Sequence, residues 1–425
     1  MAGPPDNQMT PTGSARLPAS PLMLPSNHRR GPRKPRILVV VHQASLTGAP
    51  RVAIDILSSL DNDCWDRWAV IRWGGPLAKD TRATGSRVVF EPLRRTRATL
   101  RRWRRSRWLA TWLEQIVAGV VVAVTRADVV WCNTTLSACY VRPARLLGRH
   151  VVLHAHEPED YMRQCLGRYR LERYWDAVTL VGCSPSVCAD LAAFARQPVQ
   201  SVACLRSVPN RDRVLTLAGA GHVDIPAHGL LVGACGVANS GKGIDLWLEM
   251  AAQLGPELRD LEPLFLWIGG TTPREFAAWS ADGPCSERVR FVGPVDNPYP
   301  WLAALDIFVL PSRADSFPLV VIEAMLLGKP VVAFSVGDVA EQVGDAGTLI
   351  PPLAVDSLAA AVAGLARDPV ERKRLGEAGR RRAEALFPIN GFTSGVRRIA
   401  SSVIEHQAQS TGKGPCVTGS PPDHL

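Results

Sequence analysis

From residue 36 onward, short runs of aliphatic and β-branched residues alternate with longer amphipathic stretches. RILVVVH (36–42), WAVIRW (68–73), VVF (88–90), DVVWCN (128–133), VVLHAH (151–156) and VTLVGCS (178–184) are predicted strands. Helical patterns such as PRVAIDILSSL (50–60) lie between them. The strands are apolar on both faces, and their alternation with helices predicts a parallel sheet covered on both sides. The pattern pauses over 207–228 and then restarts. GLLVGACG (229–236), LFLWIGG (264–270), VRFVG (289–293), DIFVLPS (306–312), PVVAFS (330–335) and GTLIPP (347–352) are the second set of predicted strands. A last helical region covers about 369–404.

The expected fold class is therefore α/β, with two Rossmann-like doubly wound domains facing a central cleft. The first spans 36–206 and the second 229–385, with a linker at 207–228 and a C-terminal helix at 386–407. The helix is expected to pack back on the first domain. Residues 1–35 and 408–425 are rich in Pro, Gly, Ser and charge, a composition that predicts disordered tails. In open parallel sheets, ligands bind beyond the C-terminal ends of the strands, so polar residues just after the strands are the candidates for chemistry.

Composition adds less. The chain has 425 residues, 46% of them hydrophobic, which is ample for two cores. The formal charge is +10, and it is uneven: eight arginines fall within 94–107. That clustering points to a local anionic partner and not to a protein basic throughout. None of the ten cysteines forms a CxxC pair, so they are expected to be reduced, with no metal site and a cytoplasmic location. Residues 1–35 lack the apolar core of a signal peptide, and the longest apolar candidate, 116–124, is too short to span a bilayer.

One carboxylate sits in an apolar run: Glu323, in PLVVIEAMLL. DIFVLPS ends as a strand, RADSF reads as a loop, and Pro318 suits a first helical position, with Asp315 and Ser316 as capping types. The helix is expected to run to Leu327 and stop at Gly328. It is apolar on nearly all faces, so Glu323 is expected to be buried and to need a partner. The ordinary partners are backbone N–H groups or an internal arginine such as Arg313. The functional one is a ligand hydroxyl at the cleft mouth. Asp315 and Glu323 are eight residues apart on one loop–helix unit, where two carboxylates can grip vicinal hydroxyls and the helix N-terminus can face phosphate.

These residues carry a resemblance. DSFPLVVIEAMLLGKPVVA (315–333) is similar to the E-x7-E region of the retaining GT-B glycosyltransferases of group 1, a family 4-like superfamily, with Asp315 in place of the usual first Glu. GVANSGKGIDLWLEMAAQL (236–254), FLWIGG, VRFVGPVDNPYPWLAALDIFVLPS and VGDVAE (336–341) follow in the family's order. HQASLTGAPRVA (42–53), CNTTLS (132–137), HAHEP (154–158) and VGCSPSV (181–187) resemble its N-terminal segments. Coverage is about 36–400.

The resemblance implies a nucleotide-sugar held by the second domain and an acceptor held by the first. Glu323 would bond the ribose, Asp315 the hydroxyls of the transferred sugar, and the backbone of Ser316, Phe317, Pro318, Leu319 and Val320 would line the sugar and diphosphate. Lys242 would offset the charge of the leaving diphosphate. Gly48 would let the backbone approach the donor, and His156 would lie near the anomeric centre. Taken alone, Lys242 reads as a solvated loop lysine and His156 as a structural strand-end residue. No cofactor and no metal are implied. The expected activity is transfer of a sugar, with retention, to a glycan or lipid-linked acceptor in envelope or exopolysaccharide synthesis.

The chain departs from the family at Val237 and Gly241, where an arginine is usual near one or the other, and at Gly337-Asp338, where Gly-Gly is usual. Arg313 is a candidate substitute cation. The alternative expectation is a catalytically silent protein of the same fold that binds a nucleotide-sugar or glycan and acts through a partner.

RRTRATLRRWRRSRWLATWL (94–113) reads as a basic, tryptophan-bearing helix. It is either a solvated helix with tryptophans on the core or a contact for an anionic membrane face, and the membrane contact is preferred. Arg101, Arg102, Trp103, Arg104, Arg105 and Trp108 are its candidates, making the protein peripheral on the inner face of the plasma membrane. Nucleic acid is not an expected partner, since no recognition module accompanies the cluster.

Overall fold

Among the described residues, thirteen short strands form two separate sheets, and every pairing in both is parallel. The computed structural model describes residues 33–92, 107–221, 223–225, 229–270 and 286–411. The first sheet holds β1 (Arg36–Val41), β2 (Asp66–Ile71), β3 (Arg87–Phe90), β4 (Val129–Asn133), β5 (His150–Ala155), β6 (Thr179–Gly182) and β7 (Ala203–Cys204), in the order β3-β2-β1-β4-β5-β6-β7. The second holds β8 (Leu230–Cys235), β9 (Pro263–Ile268), β10 (Val289–Gly293), β11 (Ile307–Leu310), β12 (Val331–Phe334) and β13 (Thr348–Ile350), in the order β10-β9-β8-β11-β12-β13.

The helices of the first half are α1 (Gly48–Ser59), α2 (Ala78–Ala83), α3 (Arg107–Thr125), α4 (Val141–Leu146), α5 (Glu159–Leu166) and α6 (Pro185–Ala195). Then come α7 (Arg211–Gly219), α8 (Ile244–Glu257), α9 (Tyr299–Ala304), α10 (Leu319–Leu326), α11 (Val339–Val343), α12 (Val355–Arg367), α13 (Pro369–Leu386) and α14 (Ile389–Thr411). The strands are the core: Ile37, Leu38, Val39 and Val40 of β1 and Ile307, Phe308 and Val309 of β11 are fully buried. Helices on both faces leave no wet face for a polar alternation, which is why the strands read as continuous apolar runs.

Both sheets reverse their winding direction once, between β1 and β4 and between β8 and β11. These are the switch points at which an open parallel sheet leaves a crevice.

The structure differs from the sequence expectation in several places. β7 was not expected, because two residues pairing with Val181 and Gly182 give no periodic signal. The expected linker contains α7, whose start is capped by Asn210, its side chain accepting from the Arg213 backbone N–H at 2.9 Å. The last helical region is two helices, broken before Pro388, which cannot continue α13. α14 lies against α1 of the first half: Arg397 donates to the Ser59 carbonyl at 2.8 Å and Ser59 Oγ bonds Thr393 at 3.2 Å.

α3 is longer than the apolar run 116–124 suggested. By length and composition its window Trp108–Thr125 would suffice to cross a membrane. In the structure it lies on the first half, with Glu114 buried on its inner face, accepting from Arg72 at 3.3 Å and from Tyr169 OH at 3.0 Å.

Candidate functional site

The candidate residues collect at the two switch points. β1 leads into the loop that ends at Gly48, β4 ends at Asn133, and β5 is followed by His156. In the second sheet, β8 leads to Lys242 and β11 leads to Asp315 and α10.

Lys242 ends a single 3-10 turn, Ser240–Lys242, capped by Asn239, whose side chain accepts from the Lys242 N–H at 2.9 Å. The next residue, Gly243, has φ +72, and a Cβ there would lie 1.8 Å from the Pro311 carbonyl oxygen. Only glycine allows the lysine loop to press against the end of β11. Across that contact the Lys242 ammonium pairs with the Asp315 carboxylate, which also accepts from Ser312 Oγ at 3.3 Å. The lysine and the first acid of the loop–helix unit are thus one ion pair, partly open to solvent.

Arg313 is not a spare cation. It grips Asp245 with two nitrogens, each at 2.6 Å, and donates to the Ser240 carbonyl at 2.8 Å, while its backbone N–H donates to the Gly241 carbonyl at 2.9 Å. It braces the Lys242 loop from behind.

Glu323 is buried, and its partner comes from the other half of the molecule. Arg51, one turn into α1, donates to Glu323 Oε1 at 3.1 Å, and Tyr299 OH donates to the same oxygen at 2.9 Å. Arg51 also bonds Tyr299 OH at 2.9 Å and lies over its ring at 5.5 Å. Burial pulls the Arg51 guanidinium down, but Glu323, with Tyr299, Cys235 and Asp55 behind it, outweighs burial and leaves it above its ordinary value. Burial, and then Glu323, push the Tyr299 phenol up, so it stays protonated and donates. An internal arginine does partner Glu323, but it is Arg51 and not Arg313.

The helix of Glu323 starts at Leu319, with Pro318 at the N-cap and no side chain capping it. Asp315 and Ser316 are therefore not its caps, because Asp315 is turned to Lys242. Ser316 Oγ is buried with no hydrogen-bond partner, and Phe317 packs its ring edge-on against Phe387 at 5.9 Å. The Pro318 carbonyl accepts from buried Gln342 at 3.2 Å, and Leu319 and Val320 are half-buried against the core. A Cβ on Gly48 would meet Leu319 Cδ1 at 3.4 Å, so the Gly48 turn and the start of α10 face each other across the halves.

Gly337 fixes the loop behind this segment. Its φ is +51, and a Cβ would stand 2.0 Å from the Asp315 carbonyl oxygen. Asp338, where a second glycine was usual, is a link between halves: its N–H donates to the Ser316 carbonyl at 3.0 Å, and its carboxylate accepts from the backbone N–H of Ser186 at 3.2 Å and from the Ser186 hydroxyl. Arg206 and Glu341 form a second ion pair across the same boundary.

His156 is held at both nitrogens. Nε2 bonds Asn133 Oδ1 at 3.1 Å, and Nδ1 bonds Ser207 Oγ at 3.4 Å. Asn133 in turn donates to the Ala49 carbonyl at 2.7 Å, which ties the histidine to the Gly48 turn. With Asn133 Oδ1 as acceptor, Nε2 carries the proton and Nδ1 accepts. The His154 ring lies 4.1 Å away, tilted by 46°. Burial, then His154 and His42, hold His156 well below the usual histidine range. It is a neutral, oriented imidazole.

Of the predicted residues, the structure brings Lys242 and Asp315 into contact, sets Gly48 against α10, and links His156 to the Gly48 turn through Asn133. Phe317 faces the core. Arg101, Arg102, Trp103, Arg104 and Arg105 lie outside the described residues, and Trp108 is exposed. Sequence reasoning missed Arg51, Tyr299 and Asn133, and named Asp338 only as a departure from the usual Gly-Gly. Asn133 and Arg51 lie in the segments that had been singled out, CNTTLS and HQASLTGAPRVA, but nothing in one sequence says which residue crosses a cleft. Among the described residues, no three His, Cys, Asp or Glu side chains are grouped to hold a metal.

Comparison with known proteins bears on the family and the fold. Residues 229–368 match the family model described as Glycosyl transferases group 1. A D-inositol 3-phosphate glycosyltransferase of Kribbella flavida is 31% identical over 263 residues, 57% of this chain and 56% of that protein. A lipopolysaccharide core biosynthesis mannosyltransferase of Rhizobium leguminosarum bv. viciae is 28% identical over 183 residues, 41% of this chain and 51% of that protein. The chain thus spans about half the length of these curated relatives. Among solved structures, the sucrose-phosphate synthase of Thermosynechococcus elongatus superposes with a TM-score of 0.70 at 19% identity, covering 88% of this chain and 100% of that one. Anabaena HepE in complex with UDP-glucose superposes with a TM-score of 0.69 at 18% identity, covering 86% and 99%. At such identities the likeness is one of fold.

Proposed function

We propose that the chain is a group 1 glycosyltransferase of GT-B fold, which residues 229–368 and the fold likeness support, and that it moves a sugar, with retention, from a nucleoside-diphosphate sugar to a glycan or lipid-linked acceptor. The observation that carries this reading is the convergence of Lys242, Asp315 and Glu323 at the switch point of the second sheet, opposite Gly48 and His156. Both bonds to Glu323 fall on Oε1, so Oε2 is the oxygen offered to the ribose hydroxyls. Lys242 is the more exposed member of its pair with Asp315. In the donor complex it would turn to the diphosphate, and Asp315 would then accept from hydroxyls of the transferred sugar. As the glycosidic bond to phosphate breaks, negative charge grows on the leaving oxygen, and an ammonium held there lowers the barrier. His156, neutral and held at both nitrogens, orients and does not take a proton.

We further propose a cytoplasmic setting in envelope or exopolysaccharide synthesis. Cys64, Cys132, Cys183, Cys188, Cys204 and Cys235 are free thiols, in keeping with a reducing compartment. Two relatives are named as mannosyltransferases, in keeping with transfer of a hexose.

The second reading, a silent binding protein, has its own support: Glu323 is already ion-paired, and Val237 stands exposed where a cation is usual. The two are separated by following nucleoside diphosphate release from UDP-, GDP-, ADP- and dTDP-sugars. The transferase reading predicts release from one donor class, lowered by about a hundredfold in Lys242→Ala. Binding of a nucleotide without turnover of any sugar, with several glycans and lipid-linked acceptors supplied, supports the silent protein.

A further inference from the structure

The outer face of α3 is apolar and uncovered by any described residue. Trp108, Trp112, Ile116, Val120 and Val124 are 67%, 61%, 41%, 54% and 74% exposed. They recur every fourth residue, so on a helix they form one slowly turning stripe, about 24 Å long. From Trp108 to the end of the helix the only charged residue is Glu114, and it is buried on the opposite face. Its bonds from Arg72 and Tyr169, together with buried Ala110, Val117, Val121 and Val122, fix which face of the helix points outward. A stripe of this size on a rigidly docked helix is not the scatter of single apolar residues found on any surface.

What covers it is indicated by the chain just ahead. Residues 94–107 contain eight arginines, and no Asp or Glu occurs from 92 to 113. A second copy is a poor occupant, because this stretch of sequence carries eight arginines and no acidic residue to offset a second copy's charge. A nucleic acid is poor too, since Ile116, Val120 and Val124 offer nothing to phosphate. Tryptophans and aliphatic side chains on one helix face, entered from a run of arginines, are the composition of a helix lying in the headgroup region of an anionic bilayer.

We propose that the exposed face of α3 is a membrane-contact surface, seated on a bilayer that contains anionic phospholipid, with Trp112, Ile116, Val120 and Val124 inserted among the headgroups. This contact stands apart from the enzymatic reading. Only its consequence, that the cleft is held near a lipid-linked acceptor, rests on that reading.

The test is co-sedimentation of the full chain with vesicles of phosphatidylcholine alone and of phosphatidylcholine with phosphatidylglycerol, at low and high salt. The variant is Val120→Asp with Val124→Asp, two exposed positions at which the arginines are untouched; Val124→Ser is the milder companion. The expected result is binding to the anionic vesicles that weakens with salt, falls at least tenfold in the double variant, and falls less in Val124→Ser, with melting temperatures close to that of the wild type. The proposal is overturned if the wild type ignores anionic vesicles, if the double variant binds as well as the wild type, or if the wild type is a dimer in solution that the double variant abolishes. Nucleotide-induced stabilisation, measured on the same samples, reports on the donor site separately, so failure of one reading is not mistaken for failure of the other.

Discussion

Arg51 and Glu323, 3.1 Å apart, belong to different halves of the molecule. The arginine rises from the first turn of α1 and the glutamate from the helix after β11, so a single ion pair joins the two switch points. Both side chains are largely withdrawn from water, where a pair is worth little net but breaking it by removing one partner leaves an uncompensated charge. Arg51→Ala should therefore cost about 3 kcal/mol in urea unfolding. Arg51→Met with Glu323→Leu should recover most of that loss. Additive losses in the two single variants and the double would mean the pair is not coupled.

Gly337 makes a sharper prediction than most loop glycines. A side chain at φ +51, with the Asp315 carbonyl 2.0 Å from its Cβ, can be accommodated only by moving the segment that carries Asp315 and Ser316. Gly337→Ala should lower stability by about 2 kcal/mol and weaken nucleotide binding as well. Calorimetry with and without nucleotide measures both. A variant with wild-type affinity would detach this loop from the donor site.

The histidines set an acid limit. Burial, helped by Arg72, lowers His42 to about 4, and burial lowers His154 to about 3. Their folded values lie below the ordinary 6.5, so the unfolded chain binds more protons below that pH, and stability is lost as pH falls from about 6.5 toward 4. The slope is up to about 1.4 kcal/mol per pH unit for each histidine that stays neutral. Asp55 acts in the opposite sense: burial raises it to about 7, against the pull of Arg213 and Arg51, so it favours the folded state at low pH and its contribution is lost as pH rises. His154→Phe should flatten the dependence of the urea midpoint between about pH 5 and 7, and Asp55→Asn should steepen it.

Arg72 holds the first half together beneath α3. Its guanidinium lies between Glu91 at 3.1 Å and Glu114 at 3.3 Å, all three buried. Arg72→Met would leave two buried carboxylates facing each other and should cost at least about 3 kcal/mol, seen as a large drop in melting temperature. An unchanged melting temperature would contradict the network.

The architecture was legible because doubly wound strands are apolar on both faces and leave runs such as RILVVVH and DIFVLPS that no other element produces so regularly. β7 was not legible, since two residues have no period. The second half of the site was readable from the Lys242 turn and the Asp315–Glu323 segment, which are local in sequence. The contacts that complete it were less so. Arg51 reaches Glu323 from 272 residues away, across the two halves, while Tyr299 reaches Glu323 from 24 and Asn133 reaches Ala49 from 84 within their own halves, so each partner is set by tertiary packing. Trp108 was legible as a membrane candidate, but the five-residue stripe emerges only once the inner face of α3 is known.

The central claim is that Glu323 and Lys242 form a nucleotide-sugar site. The most direct measurement is a thermal-shift panel with UDP, GDP, ADP and dTDP on the wild type, Glu323→Gln and Lys242→Ala. A ligand that binds only the folded state raises the melting temperature by mass action. The account predicts that one nucleotide stabilises the wild type and that both variants, though folded, lose most of that shift. No response from the wild type to any of the four, or an equal shift in all three proteins, would contradict it.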